Sequence, residues 1–192
     1  SVENPHLWYP VGCSGEPYLY TVSNQVYVNG KLTDTKNERC GIREITWDED
    51  YCYVNGEKCI LRGFGNRNTY PGLGSAVPVS LQWQDIAYIA KCGVGHQPPF
   101  AEIFEACDVY GVLVILNTGD NEWALRDEPS LSYKWECDRD VMIAYRSHPS
   151  VAVWESNNGL PYEGEKYYPS YTLEQVRRWD YIQPRIVSNR DG

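Results

Sequence analysis

No run of 18 apolar residues occurs anywhere in this 192-residue chain, and no basic segment followed by an apolar one precedes residue 30. These residues therefore contain neither a transmembrane helix nor a signal peptide. An initiator methionine is also lacking, so the chain reads as an excised piece, with any targeting sequence upstream. Positive charge is scarce: 17 Lys and Arg stand against 26 Asp and Glu, a formal charge of −9. Phosphates would be repelled, which disfavours nucleic acid as a partner. Seven cysteines, Cys13, Cys40, Cys52, Cys59, Cys92, Cys107 and Cys137, form an odd set without CxxC or Cys/His ligand spacing. Neither a zinc site nor a disulfide scaffold is indicated, and most are expected as buried thiols. Cys52 and Cys59 flank Asn55-Gly56, and the sequence leaves open whether they form a bridge or pack as two thiols.

What is present is a globular composition, 42% hydrophobic, with a mean hydropathy of −0.52. Its aromatics are 16 Tyr and 7 Trp against 3 Phe, rings that carry a polar handle and suit sugar faces and hydroxyls as well as they suit sheets and interfaces. From Tyr18 to Trp47 short strand-like runs alternate around Asn29-Gly30, and a second hairpin pivots on Asn55-Gly56. After Pro78 the period lengthens. Leu81, Ile86, Ile89 and Ala90 mark a helix stopping at Gly93, and residues 101–111 repeat the pattern. Then come the apolar run 112–116, a polar loop, a helix near 131–145, the run 151–154, a helix near 172–181 and the segment RIVSNRDG (185–192). Alternating strands and helices imply a parallel sheet. A boundary near residue 48 separates β-sandwich sequence (1–47) from βα sequence (48–192) of four or five strands. A closed βα barrel takes about 250 residues and only about 145 remain, so the barrel is expected to be incomplete.

The most informative stretch is HPSVAVWESNNG, His148 to Gly159, where a buried strand ends abruptly in Trp154, Glu155, Ser156, Asn157 and Asn158. Active sites of α/β folds are built at the carboxyl ends of strands.

Several ordered segments resemble glycoside hydrolase family 2, the family of β-galactosidases, β-glucuronidases and β-mannosidases. NPHLWYP (4–10), PYLY (17–20) and CGIRE (40–44) are similar to the closing strands of its immunoglobulin-like domain. NGEKCILRGFGNRN (55–68) with PGLGSAVP (71–78) resembles its first barrel strand and loop, HQPP (96–99) its SHYP turn, and HPSVAVW its fourth strand. The resemblance implies a TIM-type barrel and retaining hydrolysis by two carboxylates on strands 4 and 7. One acts as acid/base and one as nucleophile, about 5 to 5.5 Å apart. This chain stops at about strand 5, so the expectation is a β-galactosidase-like fragment that is inactive alone. A noncatalytic carbohydrate-binding relative is the alternative, and a structural fragment with exposed edges the third.

The resemblance also implies site residues. Asn158 matches the Asn that binds the sugar 2-hydroxyl, but the acid/base position is occupied by Gly159, which carries no proton. Glu155 is the nearest substitute, four residues earlier. Glu163 and Glu165 are weaker candidates. Trp154 is either a sugar platform or a core plug. Asn66, Arg67 and Asn68 align with an Asn-Arg-His motif whose His contacts sugar. His96 matches the His of SHYP, although the strand before it is shortened by about five residues. Asn157, Asn158, Trp154, His96, Arg67 and Asn68 thus form the expected substrate contacts. The loop Asn117 to Glu122 does not align cleanly with magnesium ligands of some β-galactosidases, so neither metal nor cofactor is expected. His148 reads as structural, and His6 suggests nothing. Carbohydrate is the expected partner, a homo-oligomeric full-length parent is compatible, and the family's link to polysaccharide breakdown fits a secreted or periplasmic parent.

Overall fold

The computed structural model describes residues 2–63, 69–90, 101–118, 128–155, 178 and 186–187. The chain opens with a long hairpin, β1 (Tyr20–Val28) and β2 (Lys31–Cys40), paired antiparallel from Tyr20↔Cys40 to Val28↔Lys31. Its turn is Asn29-Gly30, at φ 50° and 75°. Both signs are positive, the twist that matches a two-residue connection to the right-handed twist of its strands. The same pair recurs at Asn55 (φ 52°) and Gly56 (φ 78°), which join β4 (Cys52–Val54) to β5 (Glu57–Cys59). With β3 (Ile45–Trp47) these form a three-stranded antiparallel sheet, order β3-β4-β5, whose pairing runs across residue 48. Glu57–Cys59, expected as part of the first barrel strand, is thus the antiparallel partner of β4. Among the described residues the parallel sheet begins further on.

Helix α1 (Val79–Ile89) follows Pro78, whose fixed φ suits a helix entry. It buries Gln82, Ile86 and Ile89. The expected apolar Leu81 is half-exposed, because Gln82 takes the inward position, where its amide N–H donates to the Val77 carbonyl at 2.9 Å. Gly93, the expected stop, lies outside the described residues. Helix α2 (Ala101–Tyr110) ends at Gly111, φ 69°, and the Val112 N–H returns to the Cys107 carbonyl at 2.9 Å. A left-handed glycine after the last turn is the usual helix stop. β6 (Val114–Asn117), α3 (Glu128–Tyr145), β7 (Val151–Glu155) and β8 (Ile186–Val187) complete the described elements. β6, β7 and β8 form a parallel sheet in that order. Of the helix expected near 172–181 only Arg178 is described, and it is helical.

Two apolar clusters lie on opposite faces of this sheet. On the helix face, Ile86, Ile103, Phe104 and Met142 pack with Val112, Val114, Leu116, Val151 and Trp154. On the other, Trp8, Cys52, Val54 and Cys59 pack with Leu113, Ile115, Ala152 and Val153. Cys52 and Cys59 face each other in the β4–β5 register as buried thiols that form no disulfide. No helix among the described residues is long and apolar enough to cross a membrane.

Candidate active site at the carboxyl ends of the parallel strands

β6 alternates strictly: Val112, Val114 and Leu116 face the helices, while Leu113 and Ile115 face β4 and β5. Period-two geometry puts Asn117 on the latter face. β7 does not alternate strictly. Val114 is opposite Val151, but Ile115 is opposite Val153, so Ala152 is one residue too many. This bulge shifts the phase of everything after it. Trp154 falls on the helix face, and Glu155 comes to stand with Val153 on the face away from the helices. There Glu155 is in register with Asn117.

Both polar groups are enclosed, Asn117 at 1% exposure and Glu155 at 2%, with Thr118 also buried beside them. A carboxylate and an amide side by side at adjacent strand ends can hold and pass a proton or orient a hydroxyl, and burial makes each such contact stronger than in water. Trp154 is buried at 1% in the helix-side cluster. The described Trp154 ring therefore packs in the core. Asn66, Arg67, Asn68, His96, Asn157, Asn158, Gly159, Glu163 and Glu165 lie outside the described residues, as do positions 119–122 of the polar loop. Among the described residues no group of three His, Cys, Asp or Glu side chains could hold a metal ion.

The opposite end of β7 is tied down by residues that no sequence motif marks for this role. Asp108 is 3% exposed on α2, accepting from the Ser150 N–H at 3.0 Å and lying 2.6 Å from His148 Nδ1. His148, expected as structural, thus stands at the foot of β7, tilted against Phe104 at 5.3 Å between ring centroids. The Arg43 guanidinium donates to the Pro149 carbonyl at 2.8 Å and to the Val151 carbonyl at 2.6 Å. One sequence signal for Asp108 existed: an isolated carboxylate continuing the apolar face of Ile103, Phe104 and Cys107. Arg43 carried no local signal of a partner.

Residues 1–43 match the family model for glycosyl hydrolases family 2. A β-glucuronidase of Formosa agariphila is 28% identical over 99% of this chain, which covers 19% of that protein. A β-galactosidase of Halalkalibacterium halodurans is 29% identical over 100% of this chain and 20% of its own length. The chain therefore spans about a fifth of the length of these curated relatives. Among solved structures, a β-glucuronidase from glycoside hydrolase family 2 superposes with a TM-score of 0.75 at 25% identity, over 97% of this chain and 20% of that one. The Bifidobacterium dentium β-glucuronidase complexed with coumarin-3-O-glucuronide shares the fold, with a TM-score of 0.80 at 20% identity over 97% of this chain and 32% of that one. The similarity to glycoside hydrolase family 2 runs through motifs, sequence and backbone alike.

Proposed function

We propose that this chain supplies the end of an immunoglobulin-like sandwich (1–47) and the first part of a (β/α)8 catalytic barrel (48–192) of a retaining β-glycosidase acting on O-glycosidic bonds. The observation that carries the reading is the buried pair Asn117 and Glu155, in register at the carboxyl ends of adjacent parallel strands. Its relatives are β-glucuronidases and β-galactosidases, and strand ends are where such barrels place their chemistry. Glu155 serves as the proton donor to the leaving glycosidic oxygen, standing in for the carboxylate that Gly159 lacks. Asn157, Asn158, His96, Arg67 and Asn68 contact the sugar, and Trp154 supports the strand from the helix side.

Retaining hydrolysis needs a second carboxylate about 5 to 5.5 Å from the first. The family carries it on strand 7, whereas three parallel strands are present among the described residues. On this reading the 192 residues by themselves are inactive, and activity belongs to a longer parent. The test uses 4-nitrophenyl β-glucuronide and β-galactoside with both proteins. No nitrophenol is expected from the 192-residue chain, and Glu155→Gln in the parent should lower kcat about 100- to 10,000-fold. Turnover by the short chain would refute the need for strand 7. An unimpaired Glu155→Gln parent would remove Glu155 from the chemistry.

A further inference from the structure

We infer that Arg43 is the positioning residue that sets the phase of β7 and so decides on which side of the sheet Glu155 stands. The register is the starting point. Val151 lies opposite Val114 and faces the helices, and strict alternation from there would put Val153 and Glu155 on the helix face as well. Glu155 would then enter the cluster of Phe104, Leu116 and Met142, where an ionised carboxylate finds no compensation for its lost water. The extra residue at Ala152 prevents this. It turns Val153 toward Trp8 and Val54, Trp154 toward the helices, and Glu155 toward the Asn117 side.

A bulge persists only where its surroundings over-determine it, and here the residues leading into it are held group by group. Ser150 N–H donates to Asp108 Oδ1, and the Ser150 carbonyl accepts from Val114 N–H at 2.8 Å. The carbonyls on either side of Ser150, those of Pro149 and Val151, are both taken by the single guanidinium of Arg43. The Val151 carbonyl is the last one before the extra residue. A planar fork with several donors in fixed geometry can hold two carbonyls at once, whereas an ammonium presents one point of charge. The chain segment carrying Arg43 is itself pressed onto this spot, since a Cβ at Gly41 would lie 2.6 Å from Pro149 Cγ. Arg43 belongs to the N-terminal part of the chain and holds β7 at its foot, through the Pro149 and Val151 carbonyls. The inference deepens the proton-donor reading of Glu155, resting on it for catalytic meaning and on the register for geometry.

The phase of β7 can be read by disulfide trapping in the 192-residue chain. Asn117→Cys with Glu155→Cys places two thiols on one face of neighbouring strands, whose spacing of about 4.8 Å is within disulfide reach. Asn117→Cys with Trp154→Cys places them on opposite faces. Under oxidised glutathione, with linked peptides identified by mass spectrometry, the first pair should form at least tenfold more than the second. Arg43→Met should reduce that ratio at least fivefold, with Arg43→Lys in between. General loosening of the fold would also pull the ratio toward one, so the urea midpoint of each Arg43 variant is measured beside it, and a reduced ratio at a native-like midpoint reports phase. If Arg43→Met does not fold, Arg43→Lys decides. An unchanged ratio in a folded Arg43 variant overturns the inference whatever the parent's activity. A collapsed ratio beside a fully active Glu155→Gln parent would instead keep Arg43 and sink the proton-donor reading.

Discussion

At the scale of single residues, the junction around Trp8 shows what the resemblance motifs do physically. Trp8 is fully buried. Its indole donates to the Asp108 carbonyl at 2.8 Å, its N–H to the Ile42 carbonyl at 2.8 Å, and its own carbonyl accepts from the Asn55 amide at 2.9 Å. NPHLWYP and CGIRE therefore meet in space, and Gly41 is the point of closest approach. A Cβ there would lie 2.6 and 2.7 Å from Pro149 side-chain carbons and 3.0 Å from Trp8 Cβ. Neither neighbour is a flexible chain end. Gly41→Ala should cost about 1 to 3 kcal/mol by overpacking, measured as a shift in the urea midpoint at constant slope. A midpoint within error of the wild type would show that this contact can relax. The motif was visible in the sequence, but its partner Pro149 lies more than a hundred residues away.

At the scale of elements, local chemistry was the most legible part. Both Asn-Gly pairs make the turns their flanking strands require, because positive φ at two successive residues is a local demand that few sequences meet. Gly56 tests this without interference from packing: at φ +78°, an added Cβ would meet nothing within 4 Å. Gly56→Ala should then cost about 1 to 2 kcal/mol, all of it conformational. Thermal unfolding of that variant checks the value, and an unaltered midpoint would refute the strain argument. Helical periods likewise foretold α1, α2 and α3, with Gln82 rather than Leu81 facing inward on α1. The β7 strand was legible as an apolar run, but its phase was not. Trp154 and Glu155 are both site candidates in the sequence, yet which one faces the helices depends on one extra residue opposite β6.

At the scale of the whole molecule, the buried thiols give the chain a direction of pH sensitivity. Burial, with Cys59 and Glu57 nearby, pushes the Cys13 thiol from its ordinary 9.0 up to about 12. Burial also raises Cys59 and Cys107. A group whose folded value is raised holds its proton more tightly when folded, so its stabilisation is complete below about pH 9 and lost as pH climbs toward 12. Unfolding midpoints measured from pH 8 to 12 should fall progressively, and Cys13→Ser should make that fall shallower. A midpoint that stays level across this range would contradict the assignment. Acid acts through a different group: the Ser14 hydroxyl and N–H hold the Glu57 carboxyl below its usual value, and that contribution fades as pH drops through the carboxylate range.

The sequence by itself determined the family resemblance, the two Asn-Gly turns, the change from strand to helix period after Pro78, and the address of the candidate site at the end of 151–155. Each depends on residues close together in the chain or on motif order. Tertiary structure alone decided that Trp154 belongs to the helix-side core and that Glu155 stands beside Asn117. That choice follows from a bulge whose leading carbonyls are held by Arg43, 106 and 108 residues distant in sequence. A one-residue change of phase exchanges the faces of a strand, and no local pattern records which phase a distant guanidinium will hold.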